Sequence, residues 1–451
     1  MTKFLQISLR NLRRNPQKNI ATSLAIIVGF TGLILLIGYI ERVENYFRTY
    51  TVYANYTGHI VIYKKDGLEK AASFPKSFAL SADEVTAISK VLANFPEVEM
   101  HGGTLSGQGL AGNGCRSFPF FALGIDRFID SKVRDHAELK RWAPNLAFLK
   151  SGETFSVFSE TSNAVIVSNG LLTLLGKKHF FTPGEDQRPF VIDCNADTAK
   201  TRIASDSNIQ LASATVNGFF NALDGEVSGT FTTGLAETEN SSLRLSLAHL
   251  QRLLDTDLVT TYSVWLLDRG SLDLVLGKLA AAFKNVGLTL DLYRWDQETV
   301  SPHYYGTMSF LRTMAIFIAL VLTTIIIFSI INSVTITVVE RGQEIGMMRA
   351  LGFRTRAINR IFTSEIIILS LFSLVVGLGL GLLFTVIINR LNIPFNPPGI
   401  SGQMTIKIVP RVSLTLLSAV LILILATVTT WLTIQRNLNR KITHLLYSSV
   451  K

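Results

Sequence analysis

Apolar residues fall along this chain in four long uncharged runs: Asn19–Ile40, Thr313–Val339, Ile366–Asn389 and Val412–Gln435. At about 1.5 Å rise per residue, each can carry a helix across a hydrocarbon core of about 30 Å. Between the first two runs the pattern changes to short alternating strands and amphipathic helices. Gly58–Tyr63, Phe118–Ile125, Ala164–Val167, Val259–Leu267 and Leu288–Tyr293 read as strands, and Leu171–Leu175 and Ser271–Asn285 as helices. Ser81 and Glu84 make an S-x-x-E box opening a helix whose Val85, Ile88 and Leu92 share a face. Glu41–Tyr50 has neither Gly nor Pro, so the first helix continues beyond its apolar run. Ser301-Pro302 is a helix start well ahead of the second run.

The fold class is therefore an α-helical membrane protein with four transmembrane helices plus an α+β extracytoplasmic domain. Its pieces are an amphipathic helix at 1–19 ending in a bend at Pro16, spans at 20–40, 307–339, 362–390 and 412–435, and the external domain with its stalks at 41–306. A basic loop covers 340–361, a proline-rich outer loop without regular structure 391–411, and a basic tail 436–451. The polar middle of the external domain, about 127–162 and 177–240, reads as a second subdomain.

Composition agrees: 48% hydrophobic and 17% charged is too apolar for an ordinary soluble enzyme. The net charge of +10 separates by topology. The residues before the first span, the 340–361 loop and the tail hold fourteen basic residues against Glu340 and Glu344, while 41–312 nets −4. All three basic pieces face one side if four spans alternate, which places both termini on the cytoplasmic side of the membrane. The charge is membrane topology and not a nucleic-acid surface. The first span lacks a small-residue cleavage pattern and reads as an uncleaved signal anchor.

The stretch Glu340–Leu383 organises the membrane part. Ile345, Met348 and Leu351 recur three apart, as one side of a short helix would require. Glu365 opens the third span, an acid at membrane depth expected to pair with Arg360 or Arg356. Gly377, Gly379 and Gly381 favour close approach of another helix, the first span being the candidate, and Asn332 could bond across a helix interface. The spacing E-I-G-x-x-x-A-x-G (Glu344, Ile345, Gly346, Ala350, Gly352), followed by Glu365 and the glycines, resembles the FtsX-like permeases of ABC transporters. FFALGID (120–126), VIVSNGLLTLLG (165–176) and SLAHLQRLLD (246–255) are similar to the MacB-like extracytoplasmic core of that family. The resemblance implies that Glu344, Ile345, Gly346, Met348, Arg349, Ala350, Leu351 and Gly352 form a coupling helix docking on a separate ATPase. It further implies an ATPase dimer holding ATP and Mg, and a second permease copy or a related permease. Membrane lipids and a periplasmic or lipoprotein partner complete the expected surroundings.

No cofactor or metal is expected on this chain and no catalytic residue is assigned. GLLTLLGKK (170–178) has one residue too many between its glycines for a phosphate loop and Lys178 where Ser or Thr is needed. The histidines show no ligand spacing, and neither H-E-x-x-H nor G-x-S-x-G occurs. Cys115 and Cys194 share the external segment, where a disulfide and two buried free thiols are equal readings. The implied function is a non-enzymatic permease subunit that transmits ATP-driven motion to its external domain and extracts or exports a lipoprotein, lipid or other hydrophobic substrate. The alternative is a mechanotransmitting regulator of envelope enzymes such as cell-wall hydrolases. Absence of a fused ATPase leans the layout toward the lipoprotein-releasing type.

This topology predicts that a cysteine placed at Gly184 reacts with impermeant reagent added to spheroplasts, and one placed at Gly352 does not. The reverse pattern would overturn the whole arrangement.

Overall fold

The computed structural model describes residues 16–147, 149, 151–155, 162–181, 192–396 and 399–438. The rest of the helix expected over 1–19, Gly184, and the tail beyond Leu438 lie outside the described residues. The chain divides into two units, one formed by 1–44, 308–393 and 405–451, the other by 45–307 and 394–404.

Four helices, with their apolar parts in the first unit, are long and apolar enough to cross a membrane. They run Pro16–Thr49, Pro302–Glu340, Thr355–Leu391 and Val412–Leu438. Three exceed their apolar runs by several residues, because hydropathy marks only what hydrocarbon can hold, whereas a helix continues until a breaker or cap stops it. Pro16 is the first described residue of the first helix, and the bend expected there rests on residues outside those described. The third span begins at Thr355, ahead of the expected 362, since Arg354 is extended and no breaker follows it. Within 391–411, read as irregular, Pro394–Phe395 and Met404–Thr405 pair as a short ribbon.

The spans meet along narrow stripes. Ile326, Ile330, Val334 and Val338, four apart, give the second span one buried line in the core that also holds Ile26, Phe30 and Ile34 of the first. Gly377 and Gly381 of the third span lie against the first. A Cβ at Gly377 would fall 3.1 Å from Phe30 Cδ1 and 3.3 Å from Ile27 O, and one at Gly381 2.8 Å from Ile34 Cδ1. At that closeness the Thr31 hydroxyl donates to Gly377 O at 3.0 Å. Gly379 has nothing within 4 Å of a built Cβ and takes no part. Asn359 Nδ2 donates to Trp431 O at 3.3 Å, joining the third and fourth spans. Asn332 is exposed on its helix and is not turned toward another span of this chain.

The second unit is built on ten strands: β1 Ile60–Lys64, β2 Val98–Gly112, β3 Ser117–Ile125, β4 Ser151–Gly152, β5 Ala164–Ser168, β6 Asn208–Ala214, β7 Phe220–Phe231, β8 Ser242–Ser246, β9 Thr261–Leu266 and β10 Leu290–Arg294. Strand β2, fifteen residues long, serves two structures. Its first half pairs β9 and completes the antiparallel order β10-β1-β9-β2. Helices Ala82–Leu92 and Leu272–Asn285 belong to this part and bury Ile88, Leu92, Val275, Leu279 and Phe283. Both capping-box hydrogen bonds at Ser81 and Glu84 are made.

The second half of β2 pairs β3 and, at Leu110–Gly112, also β6. From β3 the ladder passes through β8, β5 and β7 to β6, so six strands close into a ring. Closure removes the open edges. Leu105, Phe120, Val165, Leu211, Val227 and Leu243 fill its core with Leu250 and Leu253 of helix Leu247–Leu254. The polar middle is thus not a subdomain of its own. It supplies β4, β6 and β7, but the ring takes β2, β3, β5 and β8 from outside it. Cys115, in the β2–β3 turn, is bridged to Cys194, with Cα atoms 5.6 Å apart.

If Gly381 lets the first and third spans touch, Gly381→Ile should destabilise the detergent-solubilised protein by about 1–3 kcal/mol, the usual cost of overpacking. Gly379→Ile, on the open side of the same helix, should leave the thermal midpoint unchanged. Equal midpoints for the two variants would contradict the contact.

Candidate functional site

The second span ends at Glu340, and after Arg341 a short helix, Gly342–Ala350, runs before the third span starts. Its termination is explicit in the backbone. Phe353 N donates to Met348 O and Gly352 N to Arg349 O, both at 3.0 Å, with Gly352 at φ +86°. This is a Schellman stop, and its left-handed residue favours glycine. Gly352 is thus required by the turn.

The two faces of this helix differ from the simple three-residue pattern. Ile345 is fully buried in the core of the spans, and Met348 packs against that core. Gly346 is buried as well. Met347, Leu351 and Phe353 are instead exposed, by 59%, 79% and 50%. Three residues turn a helix by about 300°, so a three-residue repeat drifts, and two steps separate Ile345 from Leu351 by about 120°. Ile345 and Met348 therefore anchor the helix to its own protein, and the outward apolar patch is Met347–Leu351–Phe353. Glu344, Ala350, Arg354, Arg356 and Arg360 are exposed around it, and Arg349 is half-buried.

Glu365 is buried, and its cation is Arg341, not Arg360 or Arg356. Arg341 Nη1 lies 3.2 Å from Oε1 and 3.4 Å from Oε2, with side-chain exposures of 13% and 8% for the pair. The Arg341 guanidinium also stands over the Phe362 ring at 5.8 Å. Arg360 and Arg356 precede Glu365 by five and nine residues, about 140° and 180° around the helix, out of reach. The pair thus ties the residue that opens the short helix to the third span. Arg341, Met347 and Phe353 were not singled out from sequence. Phe353 carried a signal, an aromatic next to a glycine stop in a basic loop.

Among the described residues no group of three or more His, Cys, Asp or Glu could hold a metal ion. Two histidines of the external unit serve packing: His59 Nδ1 accepts Leu266 N–H at 3.1 Å, and burial lowers its pKa to about 4. His249 is buried and likewise lowered to about 4, again chiefly by burial.

Residues 316–442, containing this helix and the last two spans, match a family model described as FtsX-like permease C-terminal. That stretch is similar to the C-terminal part of FtsX-like permeases. Members of that family are permeases of ABC-type transporters, generally not catalytic themselves and working with a cytoplasmic ABC ATPase. The four long apolar helices fit an inner-membrane protein with an extracytoplasmic domain. No curated protein matches the chain. Two solved structures are similar to it at 12% identity. One is the extracellular domain of YknZ, a noncanonic ABC-type transporter from Gram-positive bacteria, covering 52% of this chain and 98% of that one with a TM-score of 0.30. The other is the periplasmic region of MacB from Actinobacillus actinomycetemcomitans, covering 52% and 88% with a TM-score of 0.33.

Removing one partner of a buried ion pair leaves an unpaired buried charge, at a cost of about 3–5 kcal/mol. Arg341→Met and Glu365→Leu should each destabilise the protein on that scale. The double variant should cost clearly less than the two together. Additive losses in chemical denaturation would mean that the two side chains do not interact.

Proposed function

We propose that the permease receives the motion of a cytoplasmic ATPase dimer through helix Gly342–Ala350 and transmits it to the external domain. The observation that carries this reading is the exposed patch Met347–Leu351–Phe353 on a helix held from behind by Ile345 and by the Arg341–Glu365 pair. An apolar patch in water, with arginines around it, suits a protein groove with an acidic rim. The buried anchors make a push on the patch a push on the second and third spans, since interiors are close-packed and transmit strain. ATP and Mg belong to the partner in this scheme. A second permease, identical or related, completes the complex, because one ATPase dimer offers two docking sites.

The substrate in this proposal is a lipoprotein, lipid or other hydrophobic compound, the class carried forward from the resemblance read in the sequence. Purifying the complex from native membranes and identifying what travels with it tests that part separately.

Leu351→Asp and Met347→Asp should insert and fold, since neither side chain is packed within the permease. Both should lose co-purification of the ATPase, or stimulation of its turnover, by tenfold or more, because an unpaired charge buried in an interface costs several kcal/mol. Ile345→Asp and Gly346→Leu should damage the permease itself and appear as lower thermal midpoints. Wild-type co-purification and turnover with Leu351→Asp would remove this helix as the docking element.

A further inference from the structure

The external unit contains a cavity of about 470 Å³, whose walls include Tyr50, Tyr63, Phe121, Phe231, Leu243 and Arg244. Its size is that of a small-molecule site, about 300–1,000 Å³. Arg244, in the middle of β8, is only 8% exposed. Its Nη2 donates to Ala54 O at 2.9 Å, and its guanidinium lies 4.0 Å from the Phe231 ring centre and 5.2 Å from that of Tyr56. These contacts orient the cation and do not neutralise it. The buried carboxylate nearby, Asp130, is already engaged. It accepts the Tyr56 hydroxyl, and Arg134 Nε approaches both its oxygens at 2.9 Å. Arg134 Nη1 and Nη2 have no partner among the described residues. Two buried guanidiniums thus face one buried carboxylate, and burial lowers the pKa of Arg244. Ser301, 7% exposed, also lines the cavity, and its Oγ has no hydrogen-bond partner among the described residues.

We propose that this cavity binds an amphiphile with one anionic head, the head on Arg244 and the apolar part along the aromatic and aliphatic walls. A carboxylate or phosphate matches a guanidinium already fixed by a carbonyl and two rings. Placing an anion there supplies the negative charge that Asp130, held by Arg134, cannot. Phe121, Leu123, Phe231 and Leu243 give an apolar tail its contacts, among threonines and serines such as Thr104, Thr233 and Ser242 that line the rest of the cavity. The purely structural alternative is that Arg244 only pins Ala54, the end of a π-helical turn, to the β8 strand. The proposal does not depend on the coupling role of helix Gly342–Ala350, so ATPase co-purification serves as a separate control.

The test uses the full-length permease in phosphatidylcholine nanodiscs, labelled with a diazirine-bearing C16 fatty acid, with the cross-linked peptides mapped by mass spectrometry. Label should fall on peptides containing Tyr63, Phe121, Phe231 or Leu243. Excess palmitate and lysophosphatidate should both compete; methyl palmitate and inorganic phosphate should not. If only one of the two amphiphiles competes, the head is thereby assigned as carboxylate or phosphate, and the proposal stands. Arg244→Gln should reduce labelling at least tenfold, and Arg244→Lys should restore part of it. Ser106→Trp supplies a variant with the guanidinium intact, because Ser106 is an exposed lining residue and its replacement fills the cavity without touching Arg244. It should lose labelling at an unchanged thermal midpoint and with the ATPase still bound. Wild-type labelling in Ser106→Trp, or equal competition by methyl palmitate, overturns the proposal. Competition by phosphate alone would overturn the apolar half of it.

Discussion

A guanidinium and a carboxylate taken out of water together hold the basic loop of this protein in place. Either charge alone would be costly at the end of a helix bundle; paired, Arg341 and Glu365 fix the start of helix Gly342–Ala350 against the third span. Ile345 does the same from the next turn by filling the core between the spans. With its back pinned by one polar and one apolar contact, the helix can only present its other side. That leaves Met347, Leu351 and Phe353 in water, and it gives the loop a stiffness that a simple connection between two spans would lack.

The two units solve the same problem, the satisfaction of backbone polar groups, in different ways. In hydrocarbon the four spans satisfy theirs internally, which leaves only side chains to join them. Close approach at Gly377 and Gly381 and single hydrogen bonds such as Thr31 to Gly377 O do that work. In the external unit the strands pair with each other, and six of them close so that no edge is left open. Strand β2 belongs both to that ring and to the four-stranded sheet, so the two parts share a rigid element and not a flexible linker. The bridge from Cys115 fastens the ring's first turn to a segment 79 residues on.

Much of this was legible from residue order. The S-x-x-E box opens its helix as read, and strands such as Ala164–Ser168 fall within a residue or two of their alternation. The long β2 was missed, because Gly102, Gly103, Gly107 and Gly109 within it weaken the alternation that marks a strand. Strands β6 and β7 were hidden for a related reason. On the ring wall one side of each strand is wet, and their Asn, Gln, Asp and Ser residues read as loop.

What the sequence determined by itself are properties set by near neighbours and by composition. These are four spans, their topology, the caps, and a glycine stripe suited to close helix contact. Each depends on periods of two to four residues or on charge counts, and none needs a distant part of the chain. The tertiary structure decided which members of those patterns meet. Glu365 takes Arg341, twenty-four residues away, over the nearer Arg360, because helix geometry turns Arg360 away while the reversal after the second span brings Arg341 back. Ile345 turns inward and Leu351 outward for the same reason: a spacing says which residues are related, and only packing says which of them face a neighbour. Arg244 lies amid alternating strand residues, and its seating on a backbone carbonyl and two rings appears only when β7, β8 and the turn ending at Ala54 are brought together.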